Sequence, residues 1–307
     1  MNAITDDKIG NGLKNAVTQI LNILPQFTDK FPKAYSEGNF YYATENVDWT
    51  TGFWTGEIWL AYEYVTAHEG EFEAGAAEKQ KNAGFTQIKS FLHRIDNKIE
   101  VDHHDMGFLY SPSCVAGYKL TGSEEGREAA IKAADQLLTR YHPVGEFLQA
   151  WGPMDQPENY RLIIDCLNNL PLLYWASDAT GDSKYREIAD KHINTAVSNV
   201  IRDDYSTWHT FFLIWKQAHR TTEQPVRATV TVRRGQEDRH GAYTALQQLT
   251  AIPGERNIFR FLKMLQNIFL TIFPRIWYPT GIWNLPTVIT SREILPVRQL
   301  LPAVCWK

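Results

Sequence analysis

Two aspartates and two tryptophans stand where a reaction could use them. Asp105 closes the run Asp102, His103, His104 in "DHHDMGFLYSPS", directly ahead of an apolar stretch. Its plain reading is an N-cap or first-turn carboxylate favoured by the helix dipole. Asp165 lies in "RLIIDCLNNLPLLYWAS" between Ile163, Ile164 and Cys166, Leu167, with no cap signal before it. It is an exposed position on an amphipathic helix, a partner for Arg161 at i−4, or a carboxyl group held protonated by desolvation. A desolvated acid near a second carboxylate is one way to donate a proton near neutral pH, and Asn168 and Asn169 follow in position to orient it. Trp49 precedes the helical run of "DWTTGFWTGEIWLAYEY", where its ring either makes a capping or staple contact or stacks on a sugar. Trp151 is displayed by "QAWGPMDQPENY", a loop by its Gly152, Pro153 and Pro157. Two loop tryptophans suggest a carbohydrate cleft.

The elements that must position these groups read as helices. Apolar residues recur at helical spacing in Leu13–Leu24, Phe53–Tyr64, Phe85–Ile95, Phe108–Leu120, Ala129–Leu138, Leu162–Trp175 and Ile188–Ile201. Pro171 should kink the sixth of these just after its polar residues. Trp54, Trp59, Tyr62 and Tyr64 fall within the second run and are expected in the core. "KLTGSEEGREAAIKAADQLL" and "DATGDSKYREIADKHINTAV" share a helix end, a Thr-Gly turn, an acidic first turn and a second amphipathic helix. "YVTAHEGEFEAGAAEKQKNAGFTQI" is a looser copy. The expected fold class is therefore all-α, built from repeated helical hairpins in an open solenoid or a closed toroid.

Composition narrows the classes further. The chain has 307 residues, 44% hydrophobic and 21% charged, with a net charge of −4, enough for one large domain or two ordinary ones. It holds no run of about 18 apolar residues, and Met1–Gly12 is polar, so neither a membrane span nor a secretory signal is expected and the location expected is cytoplasmic. Cys114, Cys166 and Cys305 fit no disulfide framework and no metal-ligand spacing. The charge is split unevenly. Residues 1–212 carry 18 basic against 30 acidic groups, and residues 213–307 carry 13 against 5. Ten arginines and seven prolines fall in that second part, with Asp238 its one aspartate. A basic nucleic-acid-binding tail is the plain reading of such a segment.

"DWTTGFWTGEIWLAYEY", "DHHDMGFLYSPS", "QAWGPMDQPENYRLIIDCLNNLPLLYWAS" and "WHTFF" occur in that order, and together they resemble glycoside hydrolase family 88, the unsaturated glucuronyl hydrolases. The resemblance runs from about Phe31 to Phe212 and implies an (α/α)6 barrel of six hairpins. It implies hydration of the double bond in a 4,5-unsaturated uronic acid at the non-reducing end of lyase-generated oligosaccharides. Carried over by position, Asp165 is the general acid/base, Asp105 its partner carboxylate, Trp49 and Trp151 sugar-contacting aromatics, and His209 of "WHTFF" a histidine of the uronate pocket. No metal or organic cofactor is implied. The unsaturated rhamnogalacturonyl hydrolases share barrel and chemistry, but "DHHDMGF" and "IIDCLNNLPLLYWA" favour the glucuronyl side.

After Phe212 the motifs stop, and the family's following segments, resembling "FDxxTG" and "WARGQAWG", are not spelled. They return when the tail is back-translated and read one frame over. Thr229–Gln247 can be encoded by bases that then spell "GDSSSWARRQAWGLYGIA". A one-base loss after Phe212 accounts for the charge reversal and the clustered prolines without a nucleic-acid partner. The expected organisation is thus a barrel domain over 1–212 and an out-of-frame tail of the same domain over 213–307. The barrel is then incomplete at its C-terminal end, and a non-catalytic fragment is the competing reading.

Overall fold

The computed structural model of the chain describes residues 6–201 and 208–213. The described residues form helical hairpins: α1 (Asp6–Ile23), α2 (Thr51–Ala67), α3 (Ala76–Asp96), α4 (Met106–Tyr110), α5 (Ala116–Thr121), α6 (Glu124–Leu138), α7 (Leu170–Thr180) and α8 (Lys184–Val200). A π-turn over Ser111–Val115 joins α4 to α5. Pro112 explains it: without an N–H the regular i−4 bond cannot form, and the helix widens locally. Gly122 and Gly181 close α5 and α7 in the left-handed region at φ 73° and 74°, as the Thr-Gly turns require. Ser123 caps α6 by accepting the Gly126 N–H at 3.2 Å.

Two rows of helices result. In one, α2 neighbours α4 and α4 neighbours α7; in the other, α3 neighbours α6 and α6 neighbours α8. Fully buried Ala129, Ala130, Ala133 and Ala134 let α6 lie close to its neighbours. Trp54 and Trp59 are buried as expected, while Tyr62 and Tyr64 are half-buried. The Trp59 ring fits against Gly84 of α3 and Gly117 of α5, where a Cβ would come within 2.3 Å and 2.9 Å of it.

Within the first row, main chain touches main chain. A Cβ on Gly52 of α2 would lie 2.2 Å from the Phe108 carbonyl oxygen of α4. A Cβ on Gly107 of α4 would lie 2.2 Å from Asn169 Cα, at the entry to α7. Real Cβ contacts are never that short, so only glycine allows the N-terminal ends of α2, α4 and α7 to meet.

Short antiparallel strand pairs shape the loops at these ends: β1 (Phe31–Pro32) with β2 (Ala43–Thr44), β3 (Tyr141–His142) with β4 (Phe147–Leu148), and β5 (Arg161–Ile163) with β6 (Thr210–Phe212). In the last pair Arg161 lies opposite Phe212 and Ile163 opposite Thr210. The stretch Leu162–Trp175, expected as one kinked helix, is corrected accordingly. It divides into β5, a 3-10 turn over Ile164–Asn169 and α7. Pro171 falls in the first turn of α7, where its missing N–H would be unpaired anyway, so it starts a helix instead of bending one. The expected tail beyond Leu213, and with it the expected C-terminal incompleteness of the barrel, lies outside the described residues. Among the described residues no helix is long and apolar enough to cross a membrane.

Candidate active site

The meeting ends of α4 and α7 bring His104, Asp105 and Asp165 together. Asp105 occupies the N-cap position of α4 but makes no side-chain cap bond. Its carboxylate turns instead to His104, whose Nε2 lies 3.2 Å from Oδ1, and to His103, whose Nδ1 lies 3.1 Å from Oδ2. The N-cap reading thus holds for its position at the helix start, while its side chain serves the two histidines and makes no cap bond. His104 Nε2 also lies 3.6 Å from Asp165 Oδ1, and one ligating atom from each of the three residues falls within 4.8 Å of the others. Asp165 stands on the 3-10 turn ahead of α7, not on a helix face. Arg161 is no partner to it. That guanidinium hydrogen-bonds Asn159 Oδ1 and sits 4.8 Å from the Trp151 ring centroid and 5.5 Å from that of Phe212.

The two carboxyl groups are driven apart in acidity. Burial would raise the pKa of Asp105, but the charges and hydrogen bonds of His104 and His103 overcome it and hold the group well below the usual carboxylate range. Burial raises Asp165, helped by the charge of Asp105 and opposed by His104 and His209, and the net direction is upward. Burial alone would lower His104, yet Asp105 and Asp165 together shift it upward. Two carboxyl groups shifted in opposite directions beside a shared imidazole make an arrangement suited to moving protons. By spacing, the same three residues could hold a metal ion. The ring nitrogen aimed between two carboxylates, however, suits an N–H donor there as well as a lone pair.

His209 is brought to the same place by β6. Its carbonyl accepts the Ile164 N–H at 2.9 Å, one residue before Asp165, and its Nδ1 lies 2.7 Å from Thr210 Oγ1. The tryptophans flank the cluster. Trp49 is 47% exposed and packs edge-on against Phe53 and Phe108, the latter within the first turn of α4. Trp151 is 41% exposed and follows Ala150, whose carbonyl accepts the His104 N–H at 2.8 Å. Of the five residues singled out from the sequence, Asp105 and Asp165 meet at His104 and His209 acts on Asp165, while Trp49 and Trp151 are tied to the cluster through Phe108 and the Ala150 carbonyl.

The sequence profile of Glycosyl Hydrolase Family 88 matches residues 23–236. The chain belongs to that family. The match starts before Phe31 and ends after Phe212, the limits set by the motifs. Among family members, an unsaturated chondroitin disaccharide hydrolase of Streptococcus pneumoniae is 46% identical over 209 residues, covering 68% of this chain and 50% of the relative. An unsaturated glucuronyl hydrolase of Bacillus sp. strain GL1 is 41% identical over 190 residues, covering 62% and 48%. The crystal structure of the Streptococcus agalactiae unsaturated glucuronyl hydrolase superposes with a TM-score of 0.76 at 36% identity, covering 88% of this chain and 66% of that one. The chain spans about half the length of the curated relatives it matches. The (α/α) barrel of these neighbours agrees with the hairpins expected from periodicity.

Residues not singled out by sequence hold the family 88 site in shape. Buried Arg94 donates to the carbonyls of Val47, Asp48, Ile99 and Glu100 and to the side chains of Asn46 and Thr51, fixing the loop that carries Trp49. Buried Arg140 pairs with Asp102 at 2.7 Å and donates to the Gly152 carbonyl at 2.8 Å, tying the approach to Asp105 to the Trp151 loop. Gln149 Nε2 donates to the carbonyls of Trp151 and Gly152 in the same loop. Asn169, which the sequence did single out as a residue to orient Asp165, accepts the Phe108 N–H at 3.1 Å and so links the starts of α4 and α7 directly.

Proposed function

We propose that the chain is an unsaturated glucuronyl hydrolase, releasing 4,5-unsaturated uronic acid from the non-reducing end of lyase-generated oligosaccharides by hydration of the C4=C5 bond. The observation that carries this reading is the Asp105–His104–Asp165 cluster, in which the pKa of one carboxyl is lowered and that of the other raised. Asp165 gives its proton to C4, and the electrons of the double bond leave positive charge shared between C5 and the ring oxygen. Asp105, ionised, stabilises that charge. Asp165, now a carboxylate, takes a proton from the water that adds at C5. The resulting hemiketal opens as the bond between C5 and the ring oxygen breaks, leaving a ketone at C5 and a hydroxyl on C1; this C1 hemiacetal collapses to an aldehyde, its bond to the aglycone breaking as the aglycone oxygen takes up the hydroxyl proton. Trp49 and Trp151 contact the sugar rings, and His209 lies beside Asp165 in the uronate pocket. No step calls on a metal or an organic cofactor.

The names of the relatives make an unsaturated chondroitin disaccharide the first substrate to try. A family member from Streptococcus agalactiae has been solved with dGlcA-GalNAc6S. A reducing, cytoplasmic setting belongs to the same proposal, supported by the free buried thiols of Cys114 and Cys166. The out-of-frame tail is part of it too, so the chain and a version with one base inserted after the Phe212 codon should be assayed together. Loss of absorbance from the double bond is expected, strongest in the frame-restored protein. Asp165→Asn should lower kcat by at least about a thousandfold while preserving the far-ultraviolet dichroism, and unchanged turnover would refute its role.

A further inference from the structure

The two loop tryptophans are braced by different chemistry. Trp49 leans edge-on against apolar rings, Phe53 and Phe108. Trp151 instead has a guanidinium over its ring: the Arg161 Cζ lies 4.8 Å from the Trp151 centroid and 5.5 Å from that of Phe212, so the cation contacts two aromatic rings. Both ends of this arginine are fixed. Its main chain belongs to β5, opposite Phe212 of β6, and its carbonyl accepts the Ala150 N–H at 2.9 Å, one residue before Trp151. Its Nη2 donates to Asn159 Oδ1, and a Cβ on Gly152, one residue after Trp151, would lie 2.6 Å from that same oxygen. Trp151 nevertheless stays exposed. Among the described residues no carboxylate lies within salt-bridge distance of the guanidinium, whose Nε–H is enclosed without a hydrogen-bond partner. A partly buried cation therefore stands behind the ring without a counter-charge.

We propose that Arg161 is a positioning residue of the sugar-binding rim: its guanidinium holds the Trp151 ring with one face open and, lacking a counter-charge, biases that face toward an anionic sugar. This rests on the reading of Trp151 as a sugar contact and adds to it the class of sugar favoured there. A ring free to turn loses rotamer freedom when a sugar stacks on it, whereas a ring already held does not, and that saving lowers KM without touching kcat. The charge acts through the thickness of one ring. An indole face is negative and repels a sulfate or carboxylate, and a cation behind it offsets that field. Trp49, braced by apolar rings, carries no such offset.

The test labels the full chain with 5-fluorotryptophan, assigns the 19F signals of Trp151 and Trp49 by Trp151→Phe and Trp49→Phe, and reads them with no sugar present. Arg161→Met keeps an unbranched stem and removes the charge. The Trp151 signal should then move and broaden, while that of Trp49, the folding control, stays put. Asn159→Asp keeps the stack but sets a carboxylate on the guanidinium, so the Trp151 signal should stay narrow. Kinetics on the frame-restored protein separate the two effects, with the unsaturated chondroitin disaccharide and its 6-sulfated form as probes. In Arg161→Met the KM for the sulfated sugar should rise roughly fivefold, about the worth of one cation–π contact, and that for the unsulfated sugar roughly twofold, with the loss falling on KM and not on kcat. In Asn159→Asp the preference for the sulfated sugar should fall about threefold while the unsulfated KM stays near the parent's. A Trp151 signal unmoved in Arg161→Met, or equal rises in KM for the two sugars, would overturn the proposal. Turnover absent from every protein would instead refute the hydrolase reading, and the anion bias would fall with it, whatever the ring signal shows.

Discussion

The two tryptophan-bearing rims of the site solve one problem in different ways. Each must hold a polar loop still beneath an exposed ring, and each uses a buried arginine. Arg94, under Trp49, has no carboxylate within salt-bridge distance among the described residues; its guanidinium is satisfied by backbone carbonyls and two side-chain oxygens. Arg140, under Trp151, combines carbonyls with Asp102, whose side chain is 78% exposed. A charge neutralised by dipoles depends on every acceptor staying in place, whereas one paired with a solvated carboxylate shares its burden with water. The Trp49 rim should therefore be the more brittle of the two.

Substituting each arginine is the strongest way to break that contrast. Arg94→Leu strands six oxygens, several enclosed, and should lower the unfolding free energy by about 3 kcal/mol in urea titrations. Arg140→Leu should cost roughly half as much, because Asp102 regains full hydration, and Asp102→Asn should cost under about 1 kcal/mol. Equal losses for the two arginines would erase the distinction. The rings themselves should matter for binding and little for folding. Trp49→Ala and Trp151→Ala are each expected within about 0.5 kcal/mol of the parent in stability, exposed as they are, while KM rises. The smallest effect is a pH slope. Asp105 is held below its usual value of 3.8, so its contribution to stability is complete above that value and is lost as pH falls through the depressed one. Asp105→Asn should flatten the acid limb of a stability profile, and an unchanged slope would mean that His104 does not hold that carboxylate.

The rims also show what a sequence can disclose. Helices were legible because burial imposes a period on apolar side chains, and Gly122 and Gly181 mark their ends through a conformation other residues resist. Asp105 and Asp165 were legible as carboxylates in odd surroundings, and the motifs assigned them roles. Arg94, Arg140 and Gln149 were not, since their partners are mainly carbonyl oxygens, which every residue carries and no letter encodes. The division of Leu162–Trp175 was missed because apolar strand, 3-10 turn and helix share the same residue types over so short a length. Only Pro171, read as a helix start, hinted at it.

Gly52 and Gly107 carry a consequence for how such an enzyme could diversify. Because the helix starts bearing Asp105 and Asp165 meet backbone to backbone, the spacing of the two acids is set by atoms common to all residues, and exchanging neighbouring side chains leaves it untouched. The aromatic loops have no such restraint. On the proposed function, preference for a new sugar or sulfation pattern could therefore drift at Trp49, Phe53 and Trp151 while the proposed proton-transfer step is inherited unaltered, and a single methyl group at Gly107 would forfeit both at once.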